Sequence, residues 1–350
     1  MEALVAVLVD DVHLLVLFLV IAVSIAVLVK GADLLVEEAV ALSVSWGVSK
    51  MVIGATIVSL GTTLPETAVS VFAAIRGAPG LALGNAVGSI IADTGLILGL
   101  AVVIGPIPVD QRLVGRQSWI QFASAILLVI VCIPFLRPAA AFVEGGRLPR
   151  YVGVGFLVLL VVYIWQSIRW SRTVGLPVAD DALARVPERV RPLPAFLKLL
   201  AGIALVVVAS QVLVPAVEET AERLRIPDAI IAATLVAFGT SLPELVTAIT
   251  AVRKRHGELA LGNIIGADIL NVLFVTGAAA AVTPGGLFVP RQFYVLYFPS
   301  LLFVVTILRI GIGRSTHELR RSFGFVLLGA YVITIAAGYL IPGLDGAGHP

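Results

Sequence analysis

The chain repeats itself. "ATIVSLGTTLPE" at residues 55–66 returns as "ATLVAFGTSLPE" at 233–244, and "LALGNAVGSIIAD" at 81–93 returns as "LALGNIIGADILN" at 259–271. Both pairs are offset by the same 178 residues, with no gap between the motifs of one copy relative to the other. Such a register implies two copies of one structural unit, and any fold proposed for the chain has to place them equivalently.

The surroundings of the motifs fix the solvent. The chain is 59% hydrophobic and 13% charged, where a soluble domain has roughly a quarter of its residues charged. A bilayer-spanning helix needs about 20 mostly apolar residues, and hydropathy marks out ten such segments at 13–29, 48–75, 81–104, 118–136, 151–170, 193–214, 227–252, 259–282, 293–309 and 323–341. The sequence therefore predicts an all-α integral membrane protein of about ten transmembrane helices. The lipid bilayer is its expected partner, and the sequence leaves oligomeric state undetermined. "KGADLLVEEAVALSVSWG" at 30–47 reads as an amphipathic continuation of the first helix, with Glu37 and Glu38 on a solvated face. No Lys or Arg precedes the first apolar run, so it reads as a retained helix rather than a cleaved signal peptide. A net charge of +2 carries no nucleic-acid signature. Cys132 stands alone and reads as an apolar filler, the four His fall near segment ends and loops, and the four Trp fit an interfacial belt.

Five spans per copy is an odd number, so the second copy enters the membrane from the opposite side. Charges on equivalent loops agree with this: the joint between the motifs is "RGAPG" in the first copy and "RKRHGE" in the second. The expected architecture is two inverted five-helix repeats. Residues 1–140 form the first half, with its motif region at 54–104; 141–194 hold the fifth helix and a cytoplasmic linker; 195–350 form the second half, with its motif region at 232–282. Lys and Arg concentrate on one set of alternating loops, which places both termini outside.

The motifs bring polar groups to membrane depth. Pro65 and Pro243 lack an N–H, so the carbonyls of Gly61 and Gly239 lose their helical partners. Freed carbonyls survive there only when buried in protein or lining a cavity. With the hydroxyls of Thr62, Thr63, Thr240 and Ser241 and the carboxylates of Glu66 and Glu244, each break presents hard oxygen donors of the kind Ca²⁺ takes. A carboxylate at a helix centre costs about 2.5–3.5 kcal/mol on insertion scales, which marks it as functional. Gly84 and Gly88, and again Gly262 and Gly266, form G-x-x-x-G pairs that let backbones approach closely. Ser89 and Asp93 share a helix face; Ser89, Asp93 and Asn271 are placed against the cation, and Asp268 receives no assignment.

"GTTLPE" and "GTSLPE", followed by "GNAVGS" and "GNIIGA", resemble the two alpha repeats of the cation/Ca²⁺ antiporter superfamily, closest to prokaryotic sodium/calcium exchangers. The resemblance covers nearly the whole chain. It implies ten helices in inverted repeats, with the first and sixth sliding across a fixed core, in a prokaryotic cell membrane. It also implies that Glu66 and Glu244 are the central Ca²⁺ carboxylates. Ser59 and Ala237 would give backbone carbonyls at flanking Na⁺ sites, together with Thr62, Thr63, Thr240, Ser241 and Ser89.

Two departures stand out. The family usually has Asn at the position of Asp93 and often Asp at that of Asn271, so the pair is exchanged between the halves. Ala267 replaces a usual Ser, and Ile90 and Asp268 stand where Asn is frequent. Proton-coupled members carry a Glu where this chain has Gly88 and Gly266, which favours Na⁺ over H⁺ as the exchanged ion. The expectation is therefore an antiporter, not an enzyme, that needs no cofactor and exchanges Ca²⁺ for Na⁺. Exchange of Ca²⁺ or another divalent cation for H⁺, and more distantly a gated cation channel, are the alternatives.

Overall fold

The computed structural model describes residues 14–174, 191–224 and 240–340. α1 (Leu14–Trp46) is one continuous helix of 33 residues, so the first span and its charged continuation are a single rod. α2 (Lys50–Thr62) and α3 (Leu64–Ile75) form a pair bent by 45°. There follow α4 (Pro79–Ile104), α5 (Val114–Cys132), α6 (Arg150–Val174), α7 (Pro192–Arg223), α8 (Leu242–Arg253), α9 (Gly257–Val282), α10 (Phe293–Arg314) and α11 (Arg321–Leu340). Among the described residues eight helices are long and apolar enough to cross a bilayer, and the bent pair makes a ninth. The expected span at 227–252 is described only from residue 240, where it forms α8.

The break between α2 and α3 falls at Thr63, and Pro65 sits in the first turn of α3, where the lack of an N–H costs nothing. Pro243 occupies the same place in α8, behind Ser241. α4 and α9 each widen into a π-helical turn, Ala92–Ile97 and Asn271–Thr276, within one residue of the repeat's register. Such turns displace backbone groups from the regular ladder and recur at functional sites.

α2 lies backbone to backbone on α9. A Cβ added to Gly262 would stand 2.1 Å from the Met51 carbonyl oxygen, and one on Gly266 would stand 2.5 Å from Ala55 Cα. The G-x-x-x-G of the second half is thus a contact surface for the first half, and residues 259–273 of α9 are all buried. α1 and α7, the two longest helices, pack as closely. A Cβ on Gly202 would lie 2.7 Å from Leu35 N, and one on Gly31 would lie 2.8 Å from Leu205 Cβ.

Two short antiparallel pairings tie the halves together outside the helices. β1 (Ile107–Pro108), after α4, pairs with β4 (Glu318–Leu319), between α10 and α11. β2 (Gly146–Leu148), between α5 and α6, pairs with β3 (Leu287–Val289), after α9. The loops after α4 and α9 therefore lie at opposite ends of α5.

Two expectations need correction. Within 141–194 the linker is shorter than the polar, Pro-rich stretch "SRTVGLPVADDALARVPERVRPLP" at 171–194 suggests, because α6 runs to Val174 and Pro192 and Pro194 open α7, where proline is at home; residues 175–190 lie outside the described residues. Glu37 is exposed as expected, but Glu38 is half-buried, and both are paired. Lys254 reaches Glu37 at 2.6 Å and Asp33 at 3.0 Å, and Lys198 reaches Glu38 at 3.2 Å.

Candidate ion-binding site

Glu66 and Glu244 occupy the first turns of α3 and α8. That is the end of a helix whose unpaired N–H groups favour negative charge. Asp93 and Asn271 stand at the π turns of α4 and α9. Glu66, Asp93, Glu244, Asp268 and Asn271 are each 1% exposed, and Ser59, Thr62, Thr63, Ser89 and Ser241 are also buried. Thr240 is partly buried. Ala237 and Gly239 lie outside the described residues.

Each half presents hydroxyls to the carboxylate of the other. The hydroxyls of Thr62 and Thr63, from the first half, stand beside Glu244, and Ser241, from the second, stands beside Asp93. Thr240 donates to Asn85 Oδ1 at 3.4 Å, while Asn85 Nδ2 donates to the Glu66 carbonyl at 3.3 Å and to Ser70 Oγ at 3.0 Å. The Ser59 carbonyl accepts from Thr63 N at 2.8 Å and from the Thr62 hydroxyl at 3.3 Å.

Several of these oxygens are left unsatisfied by the protein. Among the described residues both oxygens of Glu244, Asp93 Oδ1, Asn271 Oδ1 and Thr63 Oγ1 are buried with no hydrogen-bond partner. The ion pairs of Lys198, Arg223 and Lys254 go to peripheral acids, and none reaches Asp93, Glu244 or Asp268. Buried carboxylates and carbonyl-type oxygens without donors are costly in a protein interior. They are also the ligand set of a hard cation. Among the described residues no three His, Cys, Asp or Glu cluster tightly enough to hold a metal by themselves.

The profile of the family described as sodium/calcium exchanger protein matches residues 16–169 and 194–340. The chain belongs to the sodium/calcium exchanger family. This exchanger is 34% identical over 326 residues to the inner membrane protein YrbG of Escherichia coli, covering 91% of this chain and 95% of that one. It is 31% identical over 349 residues to the sodium/calcium exchanger MaX1 of Methanosarcina acetivorans, covering 93% and 99%. A structure of the sodium-calcium exchanger NCX_Mj soaked with Na⁺ and Sr²⁺ superposes with a TM-score of 0.77 at 26% identity, covering 93% of this chain and 99% of that one. The exchanger is a multi-pass integral membrane transporter, not an enzyme.

The sequence reading passed over four polar residues of the exchanger's interior. Asn85 carries the bond between the halves just described, and its counterpart Asn263 is buried with no partner for either side-chain atom among the described residues. The signal was in plain view, because the Gly-Asn pair is part of the duplicated motif. Thr94 and Gln121, which bond Asp268, have no such mark.

Proposed function

We propose that this protein is a secondary-active antiporter that exchanges Ca²⁺ for Na⁺ by alternating access. Glu66 and Glu244 are its central Ca²⁺ carboxylates, and Thr62, Thr63, Thr240, Ser241, Ser59, Ala237, Ser89, Asp93 and Asn271 complete the Ca²⁺ and Na⁺ positions. The observation that carries the reading is the set of buried oxygens that no protein donor satisfies, both of Glu244, Asp93 Oδ1 and Asn271 Oδ1, with Thr62 and Thr63 beside Glu244 and Ser241 beside Asp93.

The same electrostatics explains obligatory exchange. Carboxylates without countercharge are too costly to carry past an apolar barrier. Only a site filled by Ca²⁺ or by Na⁺ moves, so net leak is suppressed. α1 and α7, locked to each other through Gly31 and Gly202, are the pair that slides across the remaining helices.

Two inverted halves, 1–140 and 195–350 joined by 141–194, accommodate this cycle. The positions of β1 and β3 at opposite ends of α5 support the inversion. The loop distribution of Lys and Arg supports placing both termini outside the cell.

Flux of ⁴⁵Ca²⁺ into proteoliposomes, with Na⁺ and pH gradients varied independently, tests the reading. Uptake driven by an outward Na⁺ gradient and indifferent to the pH gradient is expected. Uptake that follows only the pH gradient assigns the coupling to H⁺, and uptake indifferent to both rejects antiport.

A further inference from the structure

Asp268 lies outside the ligand set assigned above, yet three helices cooperate to hold it. Gln121 Nε2, on α5, donates to Thr94 Oγ1 at 3.2 Å and also to Asp268 Oδ2 on α9. The Thr94 hydroxyl, on α4, donates to the same Oδ2. Both amide hydrogens and the hydroxyl hydrogen are thereby used, and Oδ2 accepts twice. Asp268 Oδ1 is left buried with no hydrogen-bond partner among the described residues. The cradle fixes one oxygen and leaves the other available.

Two residues next to this cradle in sequence also carry unpartnered oxygens. Asn271 is three residues further along α9, on the same face, and its Oδ1 has no partner. Asp93, whose Oδ1 also has none, directly precedes Thr94. The negative charge of Glu244 acts on Asp268, and that of Asp268 on Asp93. No ion pair among the described residues compensates either aspartate.

The arrangement occurs once. The positions 178 residues from Asp268, Thr94 and Gln121 are Ile90, Val272 and Pro299, all apolar. It is therefore not a by-product of the duplicated scaffold. A bond network that served only to hold three helices would be closed more cheaply by Asn, since a carboxylate adds an uncompensated charge and an orphaned oxygen.

We propose that Asp268, held by Thr94 and Gln121, forms with Asp93 and Asn271 an additional Na⁺ site beside the central divalent site. Two donors already draw on the Asp268 charge, which suits a monovalent ion. The inference deepens the exchange reading and rests on it.

The test compares wild type, Asp268→Asn and Gln121→Leu in two assays. In proteoliposomes, the half-saturating Na⁺ for Na⁺-driven ⁴⁵Ca²⁺ movement is divided by the half-saturating Ca²⁺ for Ca²⁺–Ca²⁺ exchange. The ratio should rise by at least about tenfold in Asp268→Asn and less in Gln121→Leu, in line with the loss of affinity seen when groups around a metal site are removed. Equal rises in both constants would place Asp268 in the central site, and an unchanged ratio would make the network purely structural; either result overturns the proposal. Equilibrium ²²Na⁺ binding to purified protein without Ca²⁺ gives the second readout, with a weakened or missing Na⁺ expected in both variants. Wild-type Na⁺ binding in the variants overturns the site. Because binding is read without transport, that result is distinguishable from failure of the exchange reading, which would appear as Na⁺-independent flux in wild type.

Discussion

The hydroxyl of Thr240 donates to the side-chain oxygen of Asn85, a bond of 3.4 Å from just ahead of α8 in one half to the motif helix α4 of the other. Through its amide nitrogen the same Asn85 holds the Glu66 carbonyl and Ser70. One side chain thus links the polar segments of both halves.

Asn85→Ala removes that link without removing a proposed ion ligand. Each lost bond costs about 1 kcal/mol, and misplacing Glu66 should reduce Na⁺-driven ⁴⁵Ca²⁺ flux by about tenfold. Flux equal to wild type at matched protein density would deny Asn85 a positioning role.

Glu66→Gln and Glu244→Gln keep shape and remove charge. Each should reduce Ca²⁺ transport to the level of empty liposomes, since the central ion loses a carboxylate. Substantial residual flux in either variant rejects that residue as a central ligand, provided size-exclusion profiles match wild type.

Gly266→Ala tests the contact between α2 and α9. The new methyl would meet Ala55 Cα at 2.5 Å, and the obstacle is backbone, which cannot swing aside. Overpacking of this kind costs about 1–3 kcal/mol, so the melting temperature in detergent should fall. An unchanged melting temperature would mean that the helices part easily there.

Lys254 offers a control on surface electrostatics. Partial burial pulls its ammonium pKa down, but the bonds to Glu37 and Asp33 outweigh this and hold it above the ordinary lysine value. A lysine raised on folding contributes stability below its unfolded pKa and loses it as pH rises through the folded one. The lysine's contribution should therefore persist unchanged up to about pH 9. Lys254→Met should cost less than about 1 kcal/mol, and concentrated salt should erase the difference. Thermal melting across pH and ionic strength checks both statements.

The duplicated motif made much of this molecule legible. Pro65 follows the break between α2 and α3 and Pro243 opens α8 because of their own chemistry, and Glu66 and Glu244 in an apolar setting are conspicuous at any reading. Gly262 and Gly266 announced a close contact, though not that Met51 and Ala55 would provide it. What stayed hidden was long-range. Gln121 is an ordinary residue of α5 until α9 brings Asp268 against it, and Lys254 gives no sequence hint that it reaches Asp33 and Glu37. The π turns at Asp93 and Asn271 were equally invisible, because neither proline nor glycine dictates them at those two residues.

The crossed strand pairings bear on how the chain is made. During synthesis β1 and β2 leave the ribosome with no partners, since β3 and β4 belong to the second half. β1 waits longest, until Glu318 and Leu319 have been translated just ahead of the last helix. Neither half is a finished object in the meantime, so a chain truncated before residue 318 should be cleared by membrane quality control rather than persist as a half-carrier.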